Sequence, residues 1–177
     1  MQAIAVNIAR TYPLVIELGL EGDRAAQLER LKQVTLGDWA RVSTKDAQSV
    51  QLILGSYLGT IVSAYAVSEY TRGDDDRIRW SGRPADDFAG LIGTPLPGGD
   101  WRRGQARPLR WVHVARQPGN AEAAMQGFLI EMLRYRHDSR RRELVEELES
   151  RISVRVQSPD AVVIRVPAGV SILIEPV

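Results

Sequence analysis

Two short runs gather side chains with a shared chemistry. One, from Trp101 to Val114, reads WRRGQARPLRWVHV and sets Trp101, Arg102, Arg103 and Arg107 around Gly104. The other, from Trp39 to Lys45, reads WARVSTK and sets Arg41, Ser43, Thr44 and Lys45 beside Trp39. A guanidinium grips phosphate in a bidentate fork, and hydroxyl and ammonium groups donate to the same oxygens. An indole face stacks on an unpaired base for about 1–3 kcal/mol. A glycine between arginines lets the backbone approach a phosphate closely. Trp39 and Trp101 each follow a Gly-Asp pair at the mouth of a strand. Their rings are expected on one face, partly exposed, whereas Trp80 and Trp111 sit within alternating runs and are expected in the core. The expected nucleic-acid contacts are therefore Trp39, Arg41, Ser43, Lys45, Trp101, Arg102, Arg103 and Arg107. The structural alternative for the same residues is a solvated arginine loop and tryptophans that only fill a core.

Other chemistries find less material. The chain has no cysteine, which excludes disulfides, thiol catalysis and thiolate metal sites. His113 and His137 are its two histidines, a poor supply for zinc, so no metal and no cofactor are expected. Asp74, Asp75 and Asp76 read as a hairpin loop, because neither lysine stands in the acid-x-Lys strand that a metal nuclease needs. No Ser-His-Asp set suggests itself. One catalytic alternative stays open, an amide hydrolase in which Lys45 activates Thr44 or Ser43.

Composition frames these residues. The 177-residue chain carries 23 basic and 22 acidic residues, a formal net charge of +1, with ordinary globular proportions of 44% hydrophobic and 25% charged residues. All the basic residues except Lys32 and Lys45 are arginine. A GC-rich genome produces the same bias, so position rather than total carries the argument. The densest basic run, YRHDSRRR from Tyr135, precedes Glu143, Glu146, Glu147 and Glu149 at spacings that allow helical ion pairs, with a backbone clamp as the alternative. No stretch has the pattern of a signal peptide or a membrane span, and a soluble cytoplasmic protein is expected.

The elements that must position these groups follow from periodicity. QAIAVNIAR alternates as a half-buried strand, and GDRAAQLERLKQVT has Leu28, Leu31 and Val34 at helical spacing, with Asp23 at its start and Gly37 closing it. The run from Asp46 to Tyr70 reads as a hairpin turning at Leu58-Gly59. RIRWSG and LRWVHV read as strands, separated by an irregular segment with a short helix near Asp86 to Leu91. Beyond Pro118, a helix with Met125, Phe128, Leu129, Met132 and Leu133 on one side leads to RISVRVQ, AVVIRVP and VSILIEP, three short strands. Two domains are expected, residues 1–117 and 118–177.

The series VNIARTY, GDWARVS, LGSYLGTIVSAYAV, RIRWSG and WRRGQARPLRWV, between Val6 and Val114, resembles the PUA-like superfamily. The likeness is to small bacterial domains of its ASCH and EVE branches. Where that pattern has Asn before Pro this chain has Arg107, and where it has Tyr this chain has Trp111. The resemblance implies an α+β fold, a PUA-like mixed β-barrel with flanking helices, to which residues 118–177 add a helix and β-meander extension. It also implies binding of RNA or DNA, in some branches with a modified base flipped into an aromatic pocket. The expected function is a nucleic-acid-binding module rather than an enzyme. Its rival is an interaction module that forms a homodimer through the C-terminal extension.

Overall fold

The computed structural model of the chain describes residues 1–20, 22–101, 108–151, 153–158 and 161–165. It is an α+β protein that falls into two compact units, Met1–Leu133 and Arg134–Val177.

In the first unit, β1 (Gln2–Asn7) is followed by three helices, α1 (Tyr12–Leu20), α2 (Arg24–Leu36) and α3 (Thr44–Ser49). The chain then returns as β2 (Leu52–Tyr57), β3 (Thr60–Arg72) and β4 (Ile78–Pro84), and after a 3-10 turn at Asp86–Leu91 it closes with β5 (Leu109–His113). The sheet order is β4-β3-β2-β1-β5. β1 runs parallel to β2, with Ile4 opposite Ile53, and the remaining pairings are antiparallel. A parallel neighbour requires a crossover, and the three helices supply it. The sheet of the described residues is open, with β4 and β5 at opposite edges, so the expected barrel closure is not seen in these strands.

β1 is not the half-buried strand its alternation suggests. Ala3, Ile4, Ala5 and Val6 are all buried, because the sheet is covered on both faces. On one face Ile4, Val6, Ile53, Val62 and Tyr65 pack with Tyr12, Val15, Ile16, Leu31 and Leu36. On the other, Ala3, Ala5, Leu52, Leu54, Ile61 and Ala64 meet Phe88, Leu91 and Leu96. Small alanines suit this thinner second layer.

Local chemistry fixes the connections. Asp23 caps α2 by accepting the Ala26 amide at 2.9 Å, and the Gly37 N–H donates to the Gln33 carbonyl at 2.9 Å. Leu58 and Gly59 both adopt positive φ, 47° and 77°, the two-residue turn that matches strand twist. At Gly55 a Cβ would lie 2.2 Å from Ser63 Oγ and 2.9 Å from Thr35 Oγ1, so the glycine makes room for the buried Thr35–Ser63 hydroxyl pair.

α4 (Ala121–Arg151) starts at Asn120, whose side chain accepts the Ala123 amide at 2.9 Å. Its first part belongs to the first unit, where Met125 and Leu129 enter the core and Phe128, Met132 and Leu133 pack on it. That is the stripe expected from the sequence. In the second unit α4 continues, and β6 (Ser153–Ser158) pairs antiparallel with β7 (Ala161–Arg165). The third strand expected there, VSILIEP, lies outside the described residues.

Candidate functional site

A groove of about 1460 Å³ opens in the first unit between α2, the turn after it, the segment from β1 to α1 and strand β4. Each wall is placed by a local device. The turn Gly37–Arg41 leaves α2 and is clamped to β4, where Trp39 and Ile78 exchange two backbone hydrogen bonds of 2.9 Å. Asp38 and Arg41, on either side of Trp39, take the left-handed backbone at φ 58° and 60°. Outside glycine that conformation costs on the order of 1 kcal/mol and is held by its surroundings, and such residues cluster at functional sites.

Among the described residues, six cationic side chains line the groove, Arg10, Arg30, Lys32, Arg41, Arg77 and Arg79, against two carboxylates, Glu29 and Asp38. A net charge of +1 for the whole chain conceals this local excess. Low-dielectric walls of one sign focus potential in a cleft. Three of the cations have partners: Arg30 donates Nη1 to Gln33 Oε1 at 3.3 Å, and Arg77 and Arg79 are held by acids and a carbonyl. Arg77 Nη1 donates to the Asp38 carbonyl at 3.0 Å and its Nε lies 3.6 Å from Asp75. Arg79 sets Nε 2.6 Å from Asp38 Oδ1 and Nη2 3.4 Å from Asp75. Arg10, Lys32 and Arg41 by contrast have no hydrogen bond or ion pair among the described residues.

Three tryptophans line the groove, and they differ. Trp80 is buried, as expected, and its indole N–H lies 3.3 Å from the Ala47 carbonyl. Trp39 is enclosed too, at 9% exposure, and donates Nε1–H to the Thr35 carbonyl at 2.9 Å. The partly exposed ring expected at Trp39 is therefore a core ring. Its turn faces back across α2, and the Thr35 carbonyl draws the indole inward. Trp101 is half-buried, and the Arg110 guanidinium sits 4.5 Å from the centre of its ring. Arg110 is itself anchored on the carbonyls of Pro97, at 3.2 Å, and Gly99. A cation over an indole holds the ring in place.

Of the expected contacts, the structure brings Trp39, Arg41 and Trp101 together in this groove. Ser43, which precedes α3, and Lys45, within it, do not line the groove. Ser43 caps α3, accepting the Asp46 amide at 3.0 Å and donating to Asp46 Oδ2 at 2.8 Å, while Thr44 Oγ1 takes a hydrogen bond from Arg72 at 3.3 Å. Lys45 stands exposed. These three do not make the buried nucleophile and base that the hydrolase alternative requires. Arg102, Arg103 and Arg107 lie outside the described residues. Trp111, expected in the core, is 38% exposed, because β5 is an edge strand with a neighbour on one side.

Sequence reasoning missed Arg10, Lys32 and Arg110. Lys32 had a signal, a cation on α2 beside the apolar register of Leu28, Leu31 and Val34. Arg10 had none beyond its place after the first strand. Among the described residues, no three acidic or histidine side chains gather to hold a metal, and no helix is long and apolar enough to cross a membrane.

Comparison with known proteins gives no match to this chain, whether among family models, curated proteins or solved structures.

Proposed function

We propose that this protein is a nucleic-acid-binding module that seats a strand in the groove between α2 and β4. The observation that carries the reading is the gathering of three cations that have no partner among the described residues, Arg10, Lys32 and Arg41, in one groove with half-buried Trp101. The cations take backbone phosphates and Trp101 offers a face to an unstacked base. Small-molecule pockets span roughly 300–1,000 Å³, so a groove of about 1460 Å³ suits a polymer better than a metabolite. The order of motifs from Val6 to Val114 supports placing the chain near the PUA-like domains, and a cytoplasmic location goes with that reading.

The test is fluorescence anisotropy with labelled single-stranded and duplex oligonucleotides over a salt series. Phosphate binding weakens steeply as salt rises. Absence of salt-dependent binding to every oligonucleotide at low ionic strength sinks the proposal.

A second reading, an interaction module, rests on Trp111, a large apolar side chain 38% exposed on edge strand β5. Exposed strand edges are templates for pairing with another chain. Sedimentation of the purified protein at several concentrations distinguishes a monomer from a dimer.

A further inference from the structure

A groove built for phosphate alone has no use for a carboxylate, yet two line this one, Glu29, which accepts from Gln33 Nε2 at 3.3 Å on its own helix, and Asp38. The presence of Asp38 lowers affinity for any polyanion, so it calls for a reason. Neutralising Arg79 is a weak one, because Asp75 already lies 3.4 Å from Arg79 and 3.6 Å from Arg77. The contacts read better in the other direction, as a frame that fixes Asp38. Arg79 Nε holds its Oδ1 at 2.6 Å, and Arg77 holds its carbonyl at 3.0 Å. The next residue, Trp39, is bonded twice to Ile78. The backbone is at φ 58°, a conformation that aspartate tolerates better than most residues. The side chain nevertheless remains 63% exposed.

An ionised carboxylate only accepts hydrogen bonds, at about four lone-pair positions. Arg79 takes one of these, which leaves acceptors for a donor on the ligand. Phosphates offer none, and base edges do. The Watson–Crick edge of guanine presents two adjacent donors, N1–H and the N2 amino group, which match the two oxygens of a carboxylate. That edge is open only in an unpaired strand. Resting on the nucleic-acid reading of the groove, we infer that Asp38 is its specificity-determining residue and selects an unpaired guanine. Selectivity then comes at the expense of general affinity, because bases with no donor pair to offer leave the carboxylate facing a polyanion without compensation.

The experiment compares two single-stranded RNA decamers, and their DNA counterparts, identical except that one carries guanine where the other carries inosine, which lacks the N2 amino group. The parent protein is expected to prefer the guanine strand by about tenfold, the scale of one charge-assisted hydrogen bond. Asp38→Asn retains a residue type that accepts positive φ, and a thermal melt verifies its fold. It should bind the inosine strand more tightly than the parent does and discriminate less than twofold. Equal binding of the two strands by the parent, or discrimination that survives in Asp38→Asn, overturns the role of Asp38 while leaving the groove reading intact. Failure of all strands to bind at low salt overturns both.

Discussion

Trp39 gives its indole N–H to the carbonyl of Thr35, one helical turn back on α2, at 2.9 Å. Thr35 in turn donates its hydroxyl to the Leu31 carbonyl at 2.8 Å and shares a hydrogen bond with Ser63 on β3. The end of α2, the turn after it and the sheet are thereby joined beneath the groove. Replacing a buried tryptophan by alanine costs about 3–5 kcal/mol. Trp39→Ala is therefore expected to lower the denaturant midpoint sharply. Trp39→Phe, which keeps most of the ring but orphans the Thr35 carbonyl, should cost about 1–3 kcal/mol. Urea unfolding followed by circular dichroism measures both.

Trp101 behaves differently because its ring is half-buried rather than enclosed. Trp101→Ala is expected to weaken single-strand binding by about 1–3 kcal/mol with little change in salt slope. A variant that binds as the parent does would remove the stacking role.

The unpartnered cations give the opposite signature. Substituting Arg10, Lys32 and Arg41 together by alanine should weaken binding to all sequences alike. It should also flatten the salt dependence by about two units, at roughly 0.7 per phosphate contact on a single strand. Melting temperature should change little, since none of the three has a hydrogen bond or ion pair to lose among the described residues. Anisotropy and a thermal melt on the same sample separate the two effects.

Ser43 tests placement outside the groove. As the cap of α3, its replacement by alanine should cost about 1 kcal/mol of stability. Oligonucleotide affinity should remain that of the parent. A loss of affinity without a loss of stability would return Ser43 to the binding surface.

Tyr12 and Tyr65 are held neutral by burial, which raises both hydroxyls well above the ordinary value near 10. Tyr57 adds to the shift at Tyr12, and Glu29 and Glu122 add to it at Tyr65. Because the unfolded chain ionises first, stability is complete below about pH 10. It falls as pH rises from there toward the folded values. Tyr12 OH is buried with no hydrogen-bond partner among the described residues. Tyr12→Phe should therefore leave stability at neutral pH unchanged or raise it by about 1 kcal/mol, and make its alkaline decline shallower. Midpoints measured between pH 8 and 11 check both statements.

What periodicity can encode was legible in the sequence. The cap at Asp23, the stop at Gly37, the turn at Leu58-Gly59 and the Met125-Phe128-Leu129 stripe each depend on residues a few positions apart, and each is found where expected. The helix at Tyr12 was not legible, because YPLVIELGL is apolar almost throughout and shows little face preference. Nor was α3, whose capping serine reads equally well as a phosphate donor. The tertiary structure decided which tryptophan faces the groove. Trp39 and Trp101 share a Gly-Asp-Trp context, and their burial differs because one ring finds the Thr35 carbonyl while the other finds the Arg110 guanidinium. It also decided which cations are unpartnered. Pairing is a matter of distance in space: Arg79 is reached both by Asp38, far back along the chain, and by Asp75, four residues before it, whereas Arg10, Lys32 and Arg41 have no carboxylate partner among the described residues. Side-chain types and local conformation are written along the chain, whereas local charge excess exists only after β4 has been laid beside the end of α2.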